Sequence, residues 1–318
     1  MELPNRTSVH EFILLGFGVE PQRRFLFFIC FTTLYVVTLA ENITIIAVVC
    51  LDGHLSQLPM YILLSNFSWL EMCYVTTTVP RMLLDLVSSH RTISFHACLL
   101  QFYIFFSLGN TEFFFLSAMA LDRYLAICHP LRYPQLMSTN ACYVLVASCW
   151  GLGFSGYILP VTLVSKLSFC GSNVIDHFVC DPVPILNLAC PPLGNAPLVC
   201  HVVMHIFFFG NVLVVLLSYG IVIFTLMKSN RESRKKAFST ISMHLTVVTL
   251  FYGSVGGMYL IPGGDEHSGL TKALTVFYAA ITPFVNPLIY CLRNDQVKEA
   301  WVRIWRRKLE ILRTKFTG

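Results

Sequence analysis

Seven stretches of about twenty mostly apolar residues constrain this chain more than any other feature, because that is the length at which a helix crosses a bilayer. They run Phe25–Cys50, Met60–Val79, Cys98–Ala120, Ala141–Val164, Leu198–Met227, Ala237–Ile261 and Leu270–Leu292. Backbone polar groups cannot stay unpaired in hydrocarbon, so segments of this kind are helices. Composition agrees. Only 12% of the residues are charged, against about 25% in soluble domains. That shortage excludes an ordinary soluble enzyme, a disordered chain and a nucleic-acid module. The expected fold is an all-α membrane protein, a seven-transmembrane helix bundle. Its second and seventh spans are the least apolar, so they should face the bundle interior.

An odd number of spans puts the two termini on opposite sides, and basic residues decide which is which. With the N-terminus outside, the inner segments hold 15 of the 22 basic residues, including Arg123, Arg132, Arg234, Lys235, Lys236, Arg293, Arg303 and Arg307. The chain then divides into an extracellular stretch 1–24, a bundle 25–292 and a cytoplasmic tail 293–318, all one multi-pass membrane domain. Phe12-Ile13-Leu14-Leu15 is too short for a signal peptide, so the first span is expected to serve as an uncleaved signal. Asn5-Arg6-Thr7 is a glycosylation acceptor on the outer side, though the same tripeptide pattern recurs by chance at Asn42 and Asn66. In the tail, Val297, Ala300, Trp301, Ile304, Trp305 and Leu309 recur at helical spacing among Lys298, Arg303, Arg306 and Arg307. That pattern predicts a short amphipathic helix lying on membrane lipids.

Ionisable groups at membrane depth are costly, roughly 2.5–3.5 kcal/mol each on insertion scales, and by default they mark function. Here they are Glu41, Glu71 and Glu112, with Asp122-Arg123 at the inner end of the third span. Glu71 has no basic neighbour in sequence, and Asn42, Ser117 and Asn286 are candidate partners. Two readings stand side by side. One is a polar or ion-binding switch network, the other a carboxyl that only fixes packing by hydrogen bonding. Pro283 and Pro287 interrupt the backbone ladder of the last span around Asn286, which suggests a hinge or an internal polar site.

Several segments together resemble one family. They are Leu58-Pro59-Met60-Tyr61 with Leu64-Ser65-Asn66, the run Met119-Ala120-Leu121-Asp122-Arg123-Tyr124-Leu125-Ala126-Ile127-Cys128-His129-Pro130-Leu131, and Ser218-Tyr219. To these are added Lys236-Ala237-Phe238-Ser239-Thr240, His244-Leu245-Thr246-Val247-Val248, Phe251-Tyr252-Gly253, Asn286-Pro287-Leu288-Ile289-Tyr290 and Leu292-Arg293-Asn294. In this order and spacing the chain resembles a rhodopsin-like G-protein-coupled receptor, and within that class a vertebrate odorant receptor. It departs from the family pattern at Glu41, Leu121 and Met243, where a Gly, a Tyr and a Ser are usual.

The resemblance implies that an odorant bound in the outer half of the bundle favours outward movement of the sixth helix. The opened cleft would admit a heterotrimeric stimulatory, olfactory-type G protein, which raises cyclic AMP. Asp122, Arg123 and Tyr124 form the coupling triplet, and Arg123 is the cleft cation that Asp122 holds at rest. Tyr219 and Tyr290 would support the active state, with Asn286 and Pro287 at the hinge. His244 is a candidate packing switch, equally readable as a satisfied core histidine. Of the four outer cysteines, which alone allow three connectivities, the family pattern implies Cys98–Cys180 and Cys170–Cys190. His177, Cys180 and Asp181 would suit a soft metal, but a disulfide-bonded sulfur is no thiolate ligand. No metal or cofactor is therefore assigned.

The third span offers Phe105, Phe106, Gly109, Asn110 and Phe113 on one broad face. Alignment by family motif adds Met204 and Phe207, Val255 and Tyr259, and Val276 and Ala279. Asn110 and Tyr259 are the expected hydrogen-bonding anchors, and each Phe can equally be plain core packing. Amine receptors of this class carry an Asp where Phe105 stands, so a cationic monoamine is disfavoured. A neutral, volatile, largely apolar ligand follows. A transporter is opposed by the odd span number and the absence of inverted repeats. A membrane enzyme is opposed by the lack of motif context around pairs such as Ser254 and His267.

Overall fold

The computed structural model describes residues 10–18, 20–88, 91–170, 172–228, 231–260, 268–293 and 296–306; within these, side chains are described except at 231–237, 239, 240, 259, 260, 268 and 290–293. Seven long helical runs follow one another. They are Pro21–Leu51, Pro59–Val87, Phe95–Cys128, a broken fourth run made of Thr139–Gly156 and Ile158–Val164, then Ala196–Met227, Arg231–Leu260 and a seventh from Ser268 to Arg293. Most overshoot the apolar stretches at one or both ends, because a helix continues past hydrocarbon until a capping or breaking residue stops it.

Those signals are local. Pro21 and Pro59 open the first two helices, where the missing N–H costs nothing. Ser94 and Ser138 cap the third and fourth, each hydroxyl accepting the amide three residues on at 3.3 Å. Pro160 cannot donate to the Gly156 carbonyl, and the fourth helix breaks there, at Tyr157. In the seventh helix Pro283 and Pro287 are preceded by a π turn over Phe277–Ile281, where the Thr282 hydroxyl takes up the Phe277 carbonyl at 3.1 Å.

Six of these runs are apolar and long enough to cross a membrane; the second falls short. Its polar groups are not lipid-facing. Ser68, Glu71, Thr78 and Asp85 are all buried against neighbouring helices. The third helix is the central one, with 67% of its apolar window buried against 28% in the first and fourth. It packs on the second, fourth and fifth. Two glycines of the fourth helix allow this close approach, because a Cβ at Gly153 would run into Thr111 and one at Gly156 would meet Phe207 at 2.6 Å.

One element is absent from the all-helical expectation. Glu11–Leu14 forms a strand, β1, between β2 (Thr92–Ser94) and β3 (Val174–Ile175) in the order β2-β1-β3. It runs antiparallel to β2, with Phe12 opposite Ile93, and parallel to β3, with Ile13 opposite Val174. Phe12 and Leu14 are fully buried, and Phe12 meets Phe169 edge-on at 5.4 Å. The segment too short to be a signal peptide therefore plugs one end of the bundle. Gly16 and Gly18, at φ +66° and +64°, turn the chain from there toward the first helix. This end, which also carries the cysteine-rich segment, is called the loop face below.

A further helix, 296–306, lies against the opposite end, the tail face. Val297 and Ala300 are buried against the bundle, and Ile304 packs on the same core. Arg303 pairs with Asp52 at 2.8 Å and Tyr61 donates to Gln296 at 2.8 Å. Trp301 and Trp305 are exposed, as an interfacial helix requires.

Candidate functional site

The loop face is tied down covalently. Cys98 is bonded to Cys180 and Cys170 to Cys190, so the segment before the fifth helix is anchored to the start of the third and closed upon itself. Asp181 caps a short helix, Pro182–Asn187, its Oδ1 accepting from the Val183 amide at 2.8 Å. Lys272 of the seventh helix ion-pairs with Asp176 at 2.5 Å. His177 is buried and stacked on Phe178, and its Nδ1 accepts from the Val179 amide at 3.1 Å. Burial, reinforced by the Lys272 cation, pushes His177 down to about 4. Burial lifts the Asp181 carboxyl to about 6 against the opposing Val183 amide.

Beneath this loop lies a cavity of about 530 Å³, within the range of small-molecule sites. Phe105, Phe106, Gly109, Asn110, Met204 and Val255 line it, as does Phe113. Three other expected residues do not. Phe207 turns into the seam of the third and fourth helices, edge-on to Phe114 at 5.8 Å. Val276 packs toward the first and second helices beside Phe31 and Val75, and Ala279 is buried in the main core. On the seventh helix Thr271 and Tyr278, two turns apart, are the described residues that line the cavity. The Tyr259 side chain lies outside those described. Tyr74, Tyr157, Phe251, Met258, Asp176, Asp181, His201 and His205, none of them among the expected residues, also line the cavity. The loop residues carry no helical spacing by which to place them. Asn110 donates to the Gly153 carbonyl at 3.3 Å, while its Oδ1 is buried without a hydrogen-bond partner among the described residues.

Deeper in the bundle, Asn286 donates to Glu71 at 2.5 Å, joining the seventh helix to the second. The other proposed partners of Glu71 bond elsewhere. Asn42 donates to the Thr38 carbonyl at 2.9 Å. Ser117 donates to Asn211 at 2.7 Å, a fifth-helix residue that the sequence reading passed over although it interrupts an apolar run. Glu112, fully buried, lies within electrostatic range of Glu71, and neither of its carboxyl oxygens has a hydrogen-bond partner among the described residues.

At the tail face, Arg123 Nε lies 3.6 Å from Asp122, whose other oxygen accepts from the Tyr133 hydroxyl at 2.7 Å. Tyr219 and His244, both buried, lie within electrostatic reach of the Arg123 guanidinium. The Tyr219 hydroxyl has no hydrogen-bond partner among the described residues. Tyr124 is directed instead to His129, at 3.0 Å. Pro287 is buried inside the seventh helix. The Tyr290 side chain, the side chains of Arg234, Lys235 and Lys236, and Asn5 lie outside those described.

A seven-helix bundle with a small-molecule cavity under a cross-linked loop, and an Asp-Arg-Tyr triplet at the opposite end, is a rhodopsin-like G-protein-coupled receptor. Comparison with known proteins narrows this class. The olfactory receptor family profile matches residues 31–308. Human olfactory receptor 11G2 is 47% identical over 302 residues, covering 95% of this chain and 87% of that protein. Human olfactory receptor 11H6 is 48% identical over 303 residues, covering 94% and 92%. Human olfactory receptor 6B1 is 42% identical over 300 residues, covering 94% and 96%. The chain belongs to the olfactory receptor family. It is thus a multi-pass membrane receptor for odorants that acts through a G protein, and not an enzyme.

Proposed function

We propose that this receptor binds small, neutral, largely apolar volatile molecules in the loop-face cavity and activates a stimulatory, olfactory-type G protein that raises cyclic AMP. The observation that carries the reading is the pairing of that mostly apolar cavity with a polar cluster of Asp122, Arg123, Tyr219 and His244 around the far end of the central helix. The loop face is extracellular and the tail face cytoplasmic, in keeping with the basic residues at the tail-face ends of the helices. The whole chain acts as one receptor domain, glycosylated at Asn5. Its tail helix rests on lipid through Trp301 and Trp305.

The mechanism is a shift between two packings of the bundle. At rest Asp122 holds Arg123, and Tyr219 sits nearby with its hydroxyl unused. A ligand that favours displacement of the sixth helix frees Arg123 for the G protein, and Tyr219 and Tyr290 turn in to support it. The Glu71–Asn286 bond and the π turn place a polar, re-packable joint between cavity and cleft. Cyclic-AMP output in transfected cells exposed to odorant panels tests the function. Arg123→Ala is expected to abolish evoked output while leaving ligand-induced thermal stabilisation of the purified receptor intact. Unchanged evoked output would remove Arg123 from the mechanism.

A further inference from the structure

The cavity is chemically lopsided. Toward the bundle centre its wall is aromatic, with Tyr74, Phe105, Phe113, Phe251 and Tyr278. Toward the loop face it carries two carboxylates and three imidazoles, from Asp176, Asp181, His177, His201 and His205. The two carboxylates are not equivalent. Asp176 is already neutralised by Lys272. Asp181 accepts one backbone amide on Oδ1, and among the described residues no Lys or Arg pairs with it. Its second oxygen is left for whatever occupies the cavity.

Asp181 is also held in place. It follows Cys180, which is bonded to the third helix, and precedes Pro182, which opens the loop helix. Its carboxyl, near 6, is ionised at neutral pH. Asn110 on the third-helix wall gives an amide N–H to the Gly153 carbonyl, and no Lys or Arg is among the described lining residues.

We propose that Asp181 is the head-group anchor of the odorant site, accepting a hydrogen bond from a hydroxyl or amine at the polar end of an otherwise apolar ligand and selecting against carboxylic acids. The proposal rests on the reading of this cavity as the odorant site, adds the chemistry of the head group and widens the neutral class proposed above to include amines. A donor head group completes the unfilled side of the carboxylate. An ester or aldehyde leaves it desolvated and unpaired. A carboxylate brings a second negative charge to it. Because the anchor sits on the loop and not on the third helix, Phe105 is no obstacle to an amine held at this end.

The test uses the full-length receptor and matched sets of an alcohol, an amine, an aldehyde and a carboxylic acid on linear, cyclic and aromatic scaffolds. Each compound is scored by signalling potency and by thermal stabilisation of the purified receptor. In the wild type, the alcohol or amine of an active set is expected to act at a concentration at least about tenfold below that of its acid. Asp181→Asn keeps the oxygen that caps the loop helix and removes the charge. It should therefore fold, weaken alcohols and amines about tenfold and narrow the gap to the acid. An acid-first ranking, a ranking unchanged in Asp181→Asn, or no response to any set overturns the anchor. A cavity-filling Val255→Trp that spares every response overturns the cavity itself as the site, which is a separate failure.

Discussion

The two ends of this receptor are built on opposite principles. At the loop face two disulfides, a three-stranded sheet and the Lys272–Asp176 pair fix the backbone around the cavity. At the tail face the central charges are held by side chains alone. Arg123 lies 3.6 Å from Asp122, and the Tyr219 hydroxyl nearby is buried without a hydrogen-bond partner among the described residues. A cross-linked frame loses little entropy when a ligand enters, so it suits recognition. An incompletely satisfied polar cluster has a second arrangement within reach, so it suits switching. In the proposed mechanism, binding belongs to one end and transmission to the other.

The largest expected effect comes from breaking the frame. Cys98 and Cys180 are 82 residues apart in sequence, and closing a loop of that size contributes about 4–5 kcal/mol in the chain-entropy model. The double replacement Cys98→Ala, Cys180→Ala should eliminate most folded receptor, read as lost surface expression and a large fall in thermal stability. Normal expression of that variant would mean that the sheet alone suffices to hold the loop.

A smaller effect should follow from acid, again confined to the loop face. The neutral form of His177 is the one its surroundings favour, because its pKa falls from 6.5 to about 4 on folding. Between those values the unfolded chain binds the extra proton, so stability is full above about 6.5 and falls as pH drops toward 4. Thermal unfolding at pH 7.5 and pH 5 should differ by about 2 kcal/mol through this residue, and His177→Gln should remove that share. An equal pH dependence in wild type and variant would show that His177 is not the group responsible.

The smallest effect on stability, and the sharpest contrast, belongs to the tail face. Tyr219→Phe removes a buried hydroxyl that has no hydrogen-bond partner among the described residues. It should leave the unfolding temperature unchanged or slightly raised, yet reduce maximal cyclic-AMP output, because the proposed mechanism uses that hydroxyl only after Arg123 is freed. A stability loss as large as that from the loop-face changes would erase the distinction between the two ends.

Much of this was legible in the residues. Apolar runs of bilayer length located the helices, and Pro21, Pro59, Ser94 and Ser138 supplied the local signals that start four of them. The expected pairing of Cys98 with Cys180 and of Cys170 with Cys190 is the pairing observed. Third-helix residues of the cavity were found because one regular helix keeps its facing positions in a fixed period. On the seventh helix, alignment by family motif gave Val276 and Ala279, whereas Thr271 and Tyr278 line the cavity.

The sequence by itself determined the number of membrane helices, their membrane address and the positions of the costly charges. All of these follow from hydropathy and spacing along a single segment. Only the tertiary structure decided which polar groups meet. It gave Glu71 to Asn286, Ser117 to Asn211 and Asp176 to Lys272, and it put Asp181 on the cavity wall with no Lys or Arg paired to it among the described residues. It also folded Glu11–Leu14 into a strand between two others distant in sequence. Pairings of this kind depend on how independent helices and loops are juxtaposed, and no local period in the chain encodes that.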